Sequence, residues 1–113
     1  MNGSGETNGG TCATAVAEAL QAIGGKWAFP VIAELYYGPR RFNELRRRLA
    51  GISIKSLTDM LRQLERLEML DRTVLPTNPV SVEYALTAKG RAFRAVLESM
   101  RVWGETWPSK FEG

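Results

Sequence analysis

The chain has 113 residues, the usual size of one domain, and 44% of them are hydrophobic, which is ordinary for a globular protein. It has no histidine and one cysteine, which argues against histidine-based catalysis, most zinc sites and an intramolecular disulfide. We therefore expect no enzymatic activity, no metal and no cofactor. The net charge is +3, yet residues 40–70 hold eight basic and four acidic side chains, which fits either a polyanion-binding surface or a solvated helical face.

The N-terminal segment MNGSGETNGGT has no basic start and no apolar stretch, so it does not resemble a signal peptide. Its Gly, Asn and Ser content predicts that residues 1–11 form a flexible tail. No apolar run elsewhere approaches the roughly 18 residues of a membrane span, and a single cysteine is compatible with a reducing compartment. These features predict a cytoplasmic protein without a membrane partner. They place one folded domain at residues 12–107 and a C-terminal tail at residues 108–113.

Two helices are predicted first. Residues 12–23 place Val16 and Leu20 on one helical face, and a Gly-Gly pair ends that pattern. We expect this helix to begin just after Cys12. Residues 26–37, KWAFPVIAELYY, repeat a helical apolar pattern up to a Gly-Pro pair. Their internal proline is tolerated if it falls in the first turn, where no intrahelical N–H bond is lost.

An arginine-rich helix, a short turn and a second helix come next. Five arginines lie between Arg40 and Arg48, and the apolar spacing from Phe42 onward predicts a short helix there. The sequence AGIS marks the turn, and Ser53 is a good N-cap because its hydroxyl can accept from an unpaired N–H of the first turn. In the second helix the apolar residues line one side. The opposite side carries Lys55, Asp59, Arg62 and Arg66.

The pattern then changes from helical to extended. The segments RTVL (72–75) and SVEYAL (81–86) are rich in β-branched and aromatic residues, and the linker PTNPV joins them, which predicts a β-hairpin with a long loop. Thr87 can cap a last helix. An apolar stripe runs along that helix at Phe93, Val96, Leu97, Met100, Trp103 and Trp107.

This order of elements is typical of the winged helix-turn-helix fold, a mainly α architecture with a small β-hairpin. In that fold the second helix of the pair enters the DNA major groove and the hairpin forms the wing. Arginines on the preceding segment would contact phosphates through charge-assisted hydrogen bonds and counterion release. The stripe with two tryptophans is long for so small a monomer, and burial across a two-fold dimer interface is its natural explanation.

The sequence also resembles the HxlR family of bacterial and archaeal transcription regulators, which are relatives of the MarR type. The resemblance covers residues 12–104 and is carried by IGGKW (23–27), GPRRFNEL (38–45), GIS (51–53) with LTDMLRQLE (57–65), VEYALTAKG (82–90) and a late WG. It implies a cytoplasmic homodimer that pairs through its terminal helices and binds a palindromic operator in double-stranded DNA. Several members of the family sense oxidants or quinone-like electrophiles through a cysteine at the position of Cys12.

These patterns and the resemblance assign candidate residues to four sites. The DNA-binding candidates are Arg40, Arg41, Arg47, Ser53, Lys55, Ser56, Thr58, Asp59 and Arg62. The wing candidates are Thr77, Asn78 and Ser81. The dimer-interface candidates are Val16, Leu20, Phe93, Val96, Leu97, Met100, Trp103 and Trp107. Cys12 is the candidate redox residue, and no catalytic residue or metal ligand is assigned.

Three positions depart from the family pattern. An alanine follows Cys12 where a proline is usual, and Ser81 stands where the wing usually carries an arginine, which removes an expected DNA contact. Asp59 takes the place of an uncharged residue. Its carboxylate either accepts from a cytosine amino group or pairs with Lys55 or Arg62 on its own helix.

Three alternatives stay open. A helix N-terminus would lower the pKa of the Cys12 thiol and favour the reactive thiolate, but a lone cysteine is equally compatible with an inert thiol. The tryptophans of the last helix fit either a dimer core or a pocket for a small aromatic effector. A winged-helix module that assembles proteins without specific DNA binding is the rival to a DNA-binding regulator.

Overall fold

The computed structural model describes residues 2–109, with side chains from residue 12 onward. Across this part of the chain, helices and short strands follow one another in the order predicted for a winged helix-turn-helix domain, which confirms the mainly α architecture with a small sheet. The elements are α1 (Asn2–Ala22), α2 (Ala28–Tyr36), β1 (Arg40–Arg41), α3 (Phe42–Arg48), α4 (Ile54–Arg66), β2 (Leu70–Leu75), β3 (Ser81–Leu86) and α5 (Ala88–Thr106).

The hydrophobic core fixes the orientation of α4. Its apolar side is buried together with Leu35 of α2 and Leu45 of α3, both of which are fully enclosed. Burying one such leucine side chain stabilises the fold by about 1.5–3 kcal/mol relative to leaving it exposed. Rotating α4 would therefore expose several of these residues at once, so the opposite, charged side stays in solvent. The buried residues of α4 are Leu57, Met60, Leu61 and Leu64.

Two predicted N-caps are present and set where α4 and α5 begin. The backbone N–H of Ser56 donates to Ser53 Oγ at 3.0 Å, and the N–H of Gly90 donates to Thr87 Oγ1 at 3.1 Å. Each bond satisfies one of the N–H groups that a helix leaves unpaired in its first turn. Gly51, at φ +93°, lets the chain reverse sharply between α3 and α4 because it lacks the Cβ that would clash there.

The sheet has three antiparallel strands in the order β1-β3-β2. β2 and β3 form the predicted hairpin, paired along their whole length from Leu70 opposite Leu86. β1 pairs on the other edge of β3 and places Arg40 opposite Tyr84. The sequence did not predict β1, since two residues are too few to show an alternating pattern. The sheet thereby ties the arginine-rich segment to the wing.

α1 begins earlier than the sequence predicts. Its backbone is helical from Asn2, so the segment predicted as a flexible tail continues the helix, and Cys12 lies in its middle. No proline interrupts the segment, and each glycine costs a helix only about 1 kcal/mol relative to alanine. The expectation that the first helix starts just after Cys12 is therefore wrong. At the other end α5 stops at Thr106, next to the predicted boundary, and the C-terminal tail from residue 110 on lies outside the described residues.

Candidate nucleic-acid interface

The outer face of α4 presents the predicted DNA-contacting side chains. Lys55, Asp59 and Arg62 are exposed, while Ser56 and Thr58 are half-buried beside them. Ser53 is exposed, but its hydroxyl accepts the capping hydrogen bond of α4, so its first role is to fix the start of the helix. The structure thus gathers the predicted residues of α4 on one solvent-facing surface.

Asp59 is paired within its own helix. Lys55 Nζ donates to Asp59 Oδ2 at 2.8 Å, one helical turn away, and both side chains are mostly exposed. This hydrogen bond is the main cause that lowers the pKa of Asp59 below its ordinary value, with smaller contributions from the charges of Lys55, Arg62 and Arg66. Asp59 is therefore ionised at neutral pH, and in the free chain the intrahelical pair is formed.

Arg41 and Arg47 face the wing across an open cleft. The backbone N–H of Arg41 donates to Glu44 Oε1 at 2.7 Å, which fixes the first turn of α3. Both arginines are exposed, and both line a cleft of about 830 Å³ between α3 and the hairpin loop. The three predicted wing residues line the opposite side of this cleft: Thr77, Asn78 and Ser81. The fold therefore brings two groups of predicted residues, about 30 positions apart in sequence, onto one concave surface.

The wing loop has an internal hydrogen-bond arrangement. Thr77 Oγ1 donates to the carbonyl of Pro79 at 2.8 Å and lies 2.9 Å from Ser81 Oγ. These contacts join the two ends of the loop through small hydroxyl groups. The loop from residue 76 to residue 80 contains no basic residue, so positive charge on this side of the cleft has to come from elsewhere.

Arg40 differs from its neighbour Arg41. Its side chain is only 24% exposed, and its buried Nε lies 4.0 Å from Glu34 Oε1 of α2 without a hydrogen-bond partner. The same carboxylate oxygen accepts from Arg48 Nε at 2.6 Å. Glu34 thus holds two arginines of the basic segment against α2. Phosphate contact by Arg40 stays a prediction, and the geometry favours Arg41 and Arg47 for that role.

The sequence analysis missed Arg72. This exposed residue of β2 borders a second, smaller cleft together with Thr58 and Arg62 of α4. The signal that could have found it is the hairpin register, because alternation along β2 puts Arg72 on the same face as the buried Leu70.

The candidate dimer residues fall into two groups. Phe93 and Leu97 are each 8% exposed and pack in the core of the protomer, so their part in a dimer interface stays a prediction. The stripe is wider than one contact face, and part of it packs on the protomer itself. The others remain exposed without a covering group in the described chain: Val16, Leu20, Val96, Met100, Trp103 and Trp107.

A side-chain ion pair links α1 to the start of α5. Lys89, at the start of α5, forms an ion pair with Glu18 of α1. At about 100° per residue, Lys89 shares a side of α5 with Val96 and Trp107. By the same count, Val16 and Leu20 lie about 160° from Glu18 on α1, so they point away from this ion pair, and a shared interface surface of α1 and α5 stays a prediction.

Cys12 is an exposed, free thiol on α1. It lies well inside α1, away from the positive end of the helix dipole. Among the described residues no group of three or more Cys, His, Asp or Glu side chains could hold a metal ion. Over the same residues no helix is long and apolar enough to cross a membrane.

Comparison with known proteins then identifies the family. Residues 22–112 match the model of the HxlR-like helix-turn-helix family. The chain belongs to the HxlR family. It is 38% identical over 97 residues to the HTH-type transcriptional regulator YodB of Bacillus subtilis (strain 168), a match that covers 86% of this chain and 87% of YodB.

Solved structures of family members share the fold. Reduced YodB from B. subtilis superposes with a TM-score of 0.74 at 38% identity, covering 80% of this chain and 89% of YodB. The redox regulator HypR in its oxidised form gives 0.71 at 37% identity, covering 83% and 97%. A regulator assigned to the MarR family from Enterococcus faecalis V583 gives 0.74 at 40% identity, covering 83% and 86%. This HxlR chain is thus similar to transcriptional regulators over more than three quarters of its length.

Proposed function

We propose that this HxlR-family chain acts in the cytoplasm as a homodimeric, sequence-specific DNA-binding regulator of transcription. α4 enters the major groove with Lys55, Ser56 and Thr58 towards the bases, and Arg62 lies further along the same face. Arg41 and Arg47 hold the adjacent phosphates, and the wing loop contacts the backbone beside them. The observation that carries the proposal is the polar face of α4 next to the cleft shared by α3 and the hairpin.

Dimerisation follows from the exposed apolar residues of α1 and α5. A two-fold axis between two such surfaces relates the two α4 helices, so the operator is palindromic and its half-sites lie about one helical turn apart, roughly 34–36 Å, or a multiple of that. Pairing doubles the number of phosphate contacts, which makes affinity steeply dependent on salt.

The direct test is a mobility-shift titration with the intergenic DNA upstream of the gene encoding this chain, in competition with random-sequence duplex. We expect a shift that specific competitor removes and random competitor leaves, and log affinity that falls linearly with log salt with a slope of about −5 for six phosphate contacts. Footprinting should show two protected half-sites per dimer. Absence of binding to either duplex, or binding whose affinity does not depend on salt, would favour the rival protein-assembly module.

For the signal, we propose that Cys12 responds to oxidants or electrophiles. Support comes from its exposure and from relatives whose structures include a diamide-treated and a quinone-bound YodB and an oxidised HypR. Two Cys12 thiols from two subunits can lose two electrons and two protons to diamide and form an intermolecular disulfide. A quinone instead adds to one thiolate through a new C–S bond. Either change acts on α1, next to the dimer surface, whereas an aromatic ligand between the terminal helices is the alternative signal.

Operator affinity before and after diamide or benzoquinone, in the wild type and in Cys12→Ser, tests this signal. We expect only the wild type to change its affinity, with a crosslinked dimer after diamide on a non-reducing gel. Equal responses of both proteins, or no response in either, would remove Cys12 as the sensor and favour the aromatic ligand.

A further inference from the structure

A small cleft lies between α4 and the wing strand β2, beside the major-groove face of α4. It has a volume of about 340 Å³. The roles assigned so far use only the α4 side of it. Its lining residues are Phe42, Thr58, Arg62, Glu65, Arg72 and Tyr84.

The sheet places Arg72 in this cleft. Arg72 stands opposite Tyr84 in the register of β2 and β3, and side chains alternate between the two faces of a strand. Arg72 therefore shares the face of Leu70, which is buried in the core beneath. Arg72 lines this cleft together with Arg62 of α4, and both side chains are exposed.

The cleft is rich in hydrogen-bond donors. Arg62 and Arg72 contribute two guanidinium groups, and Thr58 and Tyr84 contribute hydroxyls, against a single carboxylate from Glu65. Within the described part of the chain, neither guanidinium makes a hydrogen bond or an ion pair closer than 4 Å. Two neighbouring guanidinium groups without close acidic partners favour an anion with several acceptor oxygens.

We propose that this cleft binds one phosphate of the DNA backbone, with Arg72 and Arg62 as its two cations. The inference rests on the proposed DNA-binding function and adds a contact that the assigned residues do not include. It supplies positive charge to the wing side of the interface, where the loop from residue 76 to residue 80 has none and Ser81 stands in place of an arginine. The volume of about 340 Å³ exceeds that of a phosphate group.

The experiment compares Arg72→Ala with the wild-type chain by fluorescence anisotropy. Two duplexes of about 30 base pairs are titrated over a range of salt concentrations: the upstream intergenic fragment and a random sequence. A phosphate contact carries no sequence information, so we expect Arg72→Ala to weaken binding to both duplexes by the same factor, about tenfold. The slope of log affinity against log salt should become shallower by about 1.8, for two contacts per dimer.

Matched variants separate charge at the cleft from charge elsewhere. Arg91→Ala removes an exposed arginine of α5 that does not line the cleft, and it should leave the salt slope unchanged. Arg72→Lys keeps the charge, so it should restore most of the slope. If Arg72→Lys recovers the slope, the fold tolerates substitution at this position. A loss seen only in Arg72→Ala then reports the missing contact and not unfolding.

Three results would overturn the inference. In the first, wild-type chain binds the duplexes and Arg72→Ala binds them equally well with the same slope. In the second, Arg72→Ala loses affinity for the intergenic fragment alone, which would make Arg72 a base-contacting residue. In the third, Arg91→Ala changes the slope as much as Arg72→Ala does. Failure of wild-type chain to bind either duplex would instead contradict the proposed function itself.

Discussion

α4 and α5 are both amphipathic helices, but they bury their apolar residues to different extents. The apolar side of α4 packs inside the protomer, where Leu57, Leu61 and Leu64 are at most 1% exposed. α5 also inserts Phe93 and Leu97 into the same core. It nevertheless leaves Trp103 at 68% and Trp107 at 69% exposure. The protomer therefore buries the apolar side of α4 but only part of the apolar side of α5.

The remaining side of α5 is polar and makes its own pairs. Arg101 donates to Glu105 Oε1 at 2.7 Å and also pairs with Glu98. These bonds lower the pKa of Glu98 and raise that of Arg101. These charged groups are paired in solvent, whereas two indole rings stay exposed on the opposite side of the helix, where a partner surface is expected. The core of the protomer therefore fixes the orientation of α4, whereas the proposed dimer would have to cover the exposed residues of α5.

The double substitution Trp103→Ala with Trp107→Ala should have the largest effect. If the indoles are buried between subunits, each truncation removes about 3–5 kcal/mol of packing, and together they should abolish dimerisation. Light scattering should report a folded monomer, because neither ring packs in the protomer core. Tyr37→Ala, which truncates an aromatic side chain 80% exposed at a cleft that Arg94 and Arg101 of α5 also line, is the control and should stay dimeric. A dimeric double variant would place the interface elsewhere.

Leu61→Ala should produce the opposite pattern. This side chain is 1% exposed in the core, so its truncation leaves a cavity and lowers the free energy of unfolding by about 2–5 kcal/mol. Chemical denaturation measures the loss. The material that remains folded should still be dimeric, since Leu61 does not lie on the exposed surface of α1 and α5. If Leu61→Ala lost the dimer but kept its free energy of unfolding, the contrast between a buried α4 and an exposed α5 would be wrong.

The parts of the fold that sequence predicted are those set by local chemistry. The caps at Ser53 and Thr87 depend on side chains that bond to backbone three residues away, and both are present. The two faces of α4 follow from its helical period alone. The helix order and the hairpin followed from the same kind of local signal, and the family comparison agrees with the resemblance.

Contacts between distant segments could not be predicted from the sequence. The environment of Arg40 is set by Glu34 on α2, and a run of arginines gives no sign of such a partner. Arg72 reaches α4 only because the hairpin folds back alongside that helix. The apolar pattern of α5 assigned Phe93 and Trp103 to the same stripe, but Phe93 is buried in the core and Trp103 is exposed. Deciding between them requires the position of every helix packed around α5.

Asp59→Asn should have the smallest effect and decides what Asp59 does on DNA. The lowered pKa keeps Asp59 ionised at neutral pH, so the substitution removes a full negative charge and frees Lys55 from its 2.8 Å bond. If the carboxylate only pairs with Lys55, affinity for the intergenic fragment and for random duplex should rise together by about twofold to fivefold, with a steeper salt dependence. If it accepts from a cytosine amino group, the variant should lose affinity for the intergenic fragment alone.

Because the intrahelical pair is formed in the free chain, we expect the first outcome. Anisotropy titrations on both duplexes at two salt concentrations distinguish the two outcomes. Asp71→Asn, which removes a charge of the same sign from an exposed residue of β2 outside the Lys55 pair and outside both clefts, controls for the general electrostatic gain.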